Sequence, residues 1–471
     1  MRQSSLVVVA MRLPIDDDVA RDGACEWRRS PGGLVNALHP ILQHTPTTWI
    51  GWTGSTGPAP QLPDLDSVRL HAVPLSEEEF AEHYEGFANS TLWPLYHDAV
   101  EQPVYHRKWF QTYRQVNERF AEAADACAEP GATVWVQDYH LQLVPGLLRE
   151  RRPDLRIGFF MHVPFPPPEL FVQLPRRAEL LAGMLGADLV GFQREQAAHN
   201  FAQLATKVLG ARATDRRIEL ADGHLVRIGA FPVSIDMAEL AALAQRPEVA
   251  ARATQIRHDL GDPRRVILAV DRLDYTKGIE QRLKAYSELI AGGHVKVHDT
   301  VMVQVAVPSR ERVAQYRILR DRVEREVGRI NGEFSRVGEP AVHYLNRPFD
   351  RAELAALYRV ADIMAVTPLR DGMNLVAKEY VATRFDHTGA LVLSEFAGAA
   401  AEFDRAYLVN PHDLDGLKGA LIRAIEADPA DVAERMRAMR AHLAEHDIHA
   451  WLHRYLTALD TGETLVAHLK R

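Results

Sequence analysis

Short, continuous apolar runs alternate with helix-length segments along the whole chain. In the first half the runs are Leu6–Ala10, Thr133–Val136, Ile157–Met161 and Leu189–Phe192. In the second half they are Val266–Val270, Val301–Val305, Val342–Leu345, Ile363–Val366 and Ala390–Leu393. Continuous rather than alternating apolar runs suit parallel strands covered on both faces. Their alternation with helices predicts an α/β fold built from doubly wound sheets. The pattern restarts near the middle. Phe231-Pro232-Val233-Ser234-Ile235-Asp236 closes the first series, a charged helical stretch over 237–260 follows, and Gly261-Asp262-Pro263 launches the second. We therefore expect two Rossmann-like domains, 1–236 and 237–450, facing each other across a deep cleft at the carboxyl ends of their strands. Trp451, Leu452, Tyr455 and Leu456 recur at helical spacing, so 451–471 reads as a C-terminal helix packing back on the first domain.

Length and composition narrow the class. A chain of 471 residues exceeds one ordinary core, and 47% hydrophobic with 25% charged residues is the balance of a globular protein. A net charge of −8 argues against a nucleic-acid binder. Two cysteines, Cys25 and Cys127, give neither a disulfide framework nor metal-ligand spacing, which points to a reducing compartment. The apolar start, Leu6 to Ala10, is too short for a signal peptide or membrane span. The expectation is a cytoplasmic protein with no membrane partner, no metal and no cofactor.

The candidate chemistry sits where strands end. Asp371-Gly372-Met373-Asn374-Leu375 follows the run ending at Val366 and opens a helix that carries Glu379 two turns later. Exposed N–H groups at such a helix start suit an anionic or hydroxyl-rich ligand; the alternative reading of the segment alone is an N-cap followed by a surface acid. Arg12 ends the first run and has the bidentate fork that clamps phosphate, although a surface arginine looks the same in sequence. Gly32 and Gly33 precede an apolar segment and would let backbone approach a diphosphate, a weak signal that any loop shares. Asp138 ends the run at Val136, and His162 sits where another run meets Pro164, Pro166, Pro167 and Pro168, a rigid mount for an imidazole. Arg272 and Lys277 follow the first strand of the second half, and Arg310 follows the next. Arg272 and Lys277 at a helix start would neutralise a diphosphate and the charge it gains on leaving, and Arg310 offers one more cation. Neither Walker A spacing nor H-E-x-x-H is present. Several cations, two or three acids and one mounted histidine suit transfer from a nucleotide-diphosphate donor to a phosphorylated acceptor.

Six long motifs in order carry a resemblance: Ser30-Pro31-Gly32-Gly33, Asn89 to Pro94, Trp135 to His140, Gly158 to Pro166, Arg272 to Gly278, and Thr367 to Tyr380. Over about Leu6 to Leu459 the chain resembles the trehalose-6-phosphate synthases, retaining glycosyltransferases of family 20 with two Rossmann-type domains. The resemblance implies that Arg12, Tyr84, Trp93, Asp138 and Arg310 hold glucose 6-phosphate. It implies that Gly32, Gly33, Arg272, Lys277, Leu375 and Glu379 hold the nucleotide diphosphate, and that His162, Asp371, Gly372, Met373 and Asn374 contact the transferred glucose. His162, Arg272, Lys277 and Asp371 would form the catalytic set. The implied reaction joins glucose from UDP- or GDP-glucose to glucose 6-phosphate through an α,α-1,1 linkage, with retention and release of nucleoside diphosphate. Relatives assemble as homodimers or homotetramers, and the same is expected here. Two positions depart from the family: Met11 stands where asparagine is common, and Ala401 where some relatives carry asparagine or aspartate. The rival readings are a sister transferase with another phosphorylated acceptor, such as fructose 6-phosphate or a cyclitol phosphate, and a non-catalytic sugar-phosphate sensor.

Overall fold

Every apolar run named above folds as a parallel strand in the computed structural model, which describes residues 3–19, 25–29, 38, 46–58, 61–63, 65, 67–214 and 216–460. The chain divides into two compact units, Met1–Val233 with His449–Arg471, and Ser234–Ile448. In the first unit the strands are β1 (Ser4–Arg12), β2 (Ile15–Val19), β3 (Cys25–Arg29), β4 (Thr47–Trp52), β5 (Val68–Ala72), β6 (Ala128–Gln137), β7 (Arg156–Phe160), β8 (Leu189–Phe192), β9 (Arg212–Ala213), β10 (Arg217–Glu219) and β11 (Leu225–Ala230). Nine of them form one sheet in the order β5-β4-β1-β6-β7-β8-β11-β10-β9; β2 and β3 form a separate antiparallel hairpin. Seven strands run parallel; at one edge β10 runs antiparallel to β11, and β9 runs antiparallel to β10.

The second unit carries β12 (Arg265–Arg272), β13 (Thr300–Val307), β14 (Val342–Leu345), β15 (Ile363–Val366), β16 (Ala390–Ser394) and β17 (Tyr407–Val409). All six are parallel, in the order β14-β13-β12-β15-β16-β17. Counted from its first strand this is the 3-2-1-4-5-6 order of a doubly wound sheet, and the parallel part of the first sheet repeats it. The winding reverses between β1 and β6, and again between β12 and β15. At such a switch point the crossovers leave in opposite directions and open a crevice beyond the strand ends.

The strand β4 was invisible as an apolar run because two threonines and a glycine interrupt it, yet all six of its residues are buried. The helical stretch expected over 237–260 is two helices, Met237–Gln245 and Pro247–Asp259, because Pro247 has no N–H to continue the first and sits at the start of the second.

Two polar devices hold the units. Arg282, wholly buried, ion-pairs with Asp271 of β12 and donates to Gln304 Oε1 of β13 at 3.1 Å, to Ala365 O of β15 at 3.0 Å and to Thr367 Oγ1 at 3.1 Å. One guanidinium therefore ties three adjacent strands at the switch-point end. In the first unit, the helix Ile448–Leu459 lies on the sheet: Trp451 Nε1 donates to Phe231 O at 2.9 Å, Tyr455 OH to Phe159 O at 3.1 Å, and the Tyr455 ring stacks on Trp135 at 4.6 Å. Gly158 and Gly191 make the room, since a Cβ at either would come within 2.8 and 2.7 Å of Tyr455 atoms.

Replacing Arg282 by Met would leave Asp271 buried without its cation. We expect the second unit to lose about 3–5 kcal/mol, read as a lower urea midpoint at unchanged secondary structure.

Candidate active site

In the first unit the polar residues gather at the carboxyl ends of β1, β6 and β7. Arg12 is the last residue of β1. Its guanidinium lies 5.1 Å from the Trp52 ring, and Nη2 donates to Asp16 Oδ1 at 2.6 Å and to Thr53 O at 3.3 Å. Trp52 also meets Tyr84 at 5.9 Å between ring centroids. Tyr84 stacks on His140 at 5.4 Å, His140 lies 3.9 Å from Tyr139, and Tyr139 lies 5.7 Å from Trp93. A continuous aromatic wall thus connects Arg12 to Trp93. Tyr84 rides on a π-helix, Phe80–Leu92, started by a capping box in which Ser76 and Glu79 exchange hydrogen bonds. Wide helices of this kind are rare and cluster at functional sites.

Asp138 and His162 are joined directly. The Asp138 backbone turns to φ 70°, and its Oδ1 accepts the His162 backbone N–H at 3.1 Å. The His162 ring meets Gln137 Oε1 through Nε2 at 2.9 Å. Burial pushes the imidazole down to about 3, so it stays neutral through the physiological range. Gln137 was not singled out from sequence; a glutamine ending an apolar strand gives no signal until its neighbour is known.

In the second unit Lys277 and Asp371 meet at 2.6 Å, with side chains only 10% and 14% exposed. Asp371 Oδ2 also accepts from Asn374 Nδ2 at 3.1 Å, and Asn374 caps the helix Leu375–Thr383 by accepting from Ala377 N at 3.1 Å. The turn is clamped from behind: Gly398 N donates to Asp371 O at 3.2 Å, and a Cβ on Gly398 would lie 2.0 Å from Gly372 O. Met373 is buried against this turn and Leu375 opens the helix. Glu379, one face further along, accepts from Tyr358 OH at 2.8 Å.

Arg272 and Arg310 share a different acid. Arg272 Nη2 lies 4.0 Å and Arg310 Nη1 3.6 Å from Asp274 Oδ2, and Tyr316 OH donates to the same oxygen at 3.2 Å. Asp274 is fully buried. Burial alone would raise its carboxyl, but Arg310, Arg272 and Lys277 outweigh it and hold it at about 2. It stays ionised and fixes the cations around it. Nothing in the sequence marked Asp274 as more than part of a motif.

Of the residues expected from sequence, the first unit brings together Arg12, Tyr84, Trp93, Asp138 and His162. The second brings together Lys277, Asp371, Gly372, Met373, Asn374 and Leu375, and separately Arg272 with Arg310. Glu379 is engaged with Tyr358. Gly32 and Gly33 lie outside the described residues. Met11 is buried in the core while Arg12 is held by Asp16, Thr53 and Trp52, so the arginine's seat does not use a hydrogen bond from position 11. Ala401 is exposed, which makes the second departure a permissive one.

Residues 4–461 match the model of Glycosyltransferase family 20. The trehalose-6-phosphate synthase of Mycobacterium avium is 54% identical over 469 residues, covering 97% of this chain and 95% of that protein. Its counterpart in Mycobacterium sp. strain KMS is 55% identical over 464 residues, with 97% and 95% covered. Among solved structures, an α,α-trehalose-phosphate synthase (UDP-forming) from Burkholderia vietnamiensis superposes with a TM-score of 0.89 at 34% identity, covering 98% and 97% of the two chains. The Burkholderia xenovorans enzyme in complex with glucose-6-phosphate gives 0.88 at 32%, with 96% and 99% covered. The Escherichia coli protein bound with UDP-2-fluoro glucose gives 0.88 at 33%, with 97% and 99% covered.

Burial raises the Glu379 carboxyl above its usual 4.5. The folded state then favours the protonated acid, and that preference is lost as the pH rises through the raised value. Glu379→Gln keeps an acceptor for Tyr358 and removes the buried charge. We expect it to melt higher than wild type at pH 8, by up to about 1 kcal/mol, and equally at pH 4, as read by calorimetry at the two pH values.

Proposed function

Because the chain belongs to glycosyltransferase family 20 and is therefore a transferase, we propose that it makes α,α-trehalose 6-phosphate from a nucleoside-diphosphate glucose and glucose 6-phosphate. The observation that carries this reading is the grouping at the first unit's switch point. A phosphate-competent arginine, an aromatic wall and a carboxylate stand together there at the ends of β1 and β6, as an anionic sugar acceptor requires. Arg12 grips the phosphate in place of Asp16, Tyr84 and Trp93 wall the sugar, and Asp138 accepts hydroxyl hydrogen bonds. The relatives named UDP-forming, and the one bound to UDP-2-fluoro glucose, favour uridine as the donor base.

In the second unit Lys277 and Arg272 are two of the cations around Asp274, and the Asp371–Asn374 turn presents helix-start N–H groups. There the diphosphate binds, and Glu379 bonds the ribose hydroxyls. As the donor C1–oxygen bond breaks, negative charge grows on the diphosphate and the cations stabilise it. The acceptor C1 hydroxyl forms the new C–O bond from the same face, and its proton passes to the departing phosphate oxygen, so configuration is retained without a protein nucleophile. His162 and Asp371 orient the transferred glucose.

The test is nucleoside diphosphate release with glucose 6-phosphate and, in parallel, UDP-, GDP- and ADP-glucose, with the disaccharide linkage read by NMR. Turnover with an α,α product is expected. Tight acceptor binding without turnover would make the protein a sensor, and turnover only with another phosphorylated acceptor would move it to a sister activity. Lys277→Ala should lower kcat/KM about a hundredfold or more at little change in the acceptor KM.

A further inference from the structure

Gln137 ends β6 and is wholly buried. It pairs in register with Phe160, the last residue of β7, which brings its amide to His162 two residues beyond that strand's end. Its Oε1 lies 2.9 Å from His162 Nε2, and the following residue, Asp138, takes the His162 backbone N–H at 3.1 Å. Two consecutive residues of β6 therefore hold one histidine by ring and by backbone.

A carbonyl oxygen only accepts, so the ring nitrogen facing it carries the proton. A neutral imidazole has one N–H, which leaves the lone pair on the other nitrogen, Nδ1. Among the described residues nothing hydrogen-bonds to Nδ1, and the residue is only partly buried. The Gln137 Nε2 is buried with no partner among the described residues, a cost that a leucine of similar size would not carry.

We propose that Gln137 is a positioning residue which fixes His162 as its Nε2–H tautomer, so that Nδ1 accepts a hydrogen bond from a hydroxyl of the transferred sugar. The second half of this inference rests on the function proposed above; the first half does not. The ring is neutral at working pH because of its burial, so what Gln137 governs is where the proton sits, not whether there is one. The charged group in hydrogen-bond contact with His162 among the described residues is Asp138, and it touches the backbone N–H rather than the ring. The other contacts, the Phe160 ring at 4.6 Å and Gln193 on the carbonyl oxygen at 3.4 Å, do not titrate.

The experiment pairs Gln137→Leu with Gln137→Glu in the full chain and reads two signals. The first is the ring 15N spectrum of His162, assigned as the resonance absent in His162→Gln. Wild type should show an Nε2–H ring that does not shift between pH 5 and 8; the leucine variant should lose the pure Nε2–H signature; the glutamate variant should titrate within that range, because a carboxylate stabilises the imidazolium (pH figures on the order of the unperturbed imidazole value). The second is kinetics. Gln137→Leu should raise the nucleotide-sugar KM about tenfold while the acceptor KM moves less than about twofold. Gln137→Glu should lose activity as the pH falls through the raised His162 value, where wild type stays flat, since a protonated Nδ1 donates instead of accepting.

A wild-type ring protonated at Nδ1, or a leucine variant with an unchanged ring spectrum, overturns the tautomer assignment. Unchanged donor KM alongside an altered spectrum overturns the role of Nδ1 toward the sugar. If wild type turns over no donor while the spectra behave as expected, the proposed function fails and the hold of Gln137 on the ring stands.

Discussion

A parallel strand must be covered on both faces, and that constraint organises the rest of this molecule. Each return from the end of one strand to the start of the next needs a crossover helix, and the helices must fill both sides of the sheet. Winding outward from the first strand in one direction and then in the other satisfies this, and it leaves a single reversal per sheet, at β1/β6 and at β12/β15. The strand ends on either side of each reversal are the points where side chains escape the apolar layer without being covered by a crossover. Arg12 and Asp138 stand at the first, and Arg272 with the Thr367–Asp371 turn at the second. The chemistry is located by topology before any particular residue is considered.

Polar groups brought to those points are partly desolvated, and the structure compensates them in pairs. Arg282 neutralises Asp271 beneath the second reversal, and Asp274 collects Arg272, Arg310 and Tyr316 just above it. Lys277 and Asp371 do the same for each other. A deeper pair, the wholly buried Lys378 with Glu402 at 2.8 Å, fastens the helix behind Asp371 to the segment that follows Gly398. Charges held this way need not reorganise when a new charge develops nearby, which is what makes a pre-set field more effective than mobile water.

The sequence disclosed the elements that follow a single rule. Nine strands were legible because a run such as Val266–Val270 is apolar throughout, and the doubly wound arrangement followed from their alternation with helices. β4 was missed because Thr47 and Thr48 are polar by type, although both are buried in place. The split at Pro247 was written in the chain but overridden by the charged periodicity around it. The site divided the same way. Arg12, Asp138, His162 and Asp371 could be named because they interrupt a pattern at a strand end. Gln137, Asp274 and Tyr358 could not, because their roles come from neighbours brought near by pairing across the sheet or by a loop closing on itself.

Several residues of the candidate site also break local backbone rules. Asp138, Arg310 and Asn374 are three of the eight non-glycine residues at positive φ among the described residues, and all three lie in the candidate site. Each such backbone costs of order 1–3 kcal/mol and persists only where its surroundings over-determine it. For Asp138 the strain aims a carboxylate back at the His162 N–H; for Asn374 it turns a side chain to cap a helix and touch Asp371 at once. Gln137, with one half of its amide unmatched, belongs with them. A fold free to minimise its own energy would relax all four positions. That it does not, beside strand ends that the proposed function uses, is what that function requires of a surface shaped for a ligand rather than for packing.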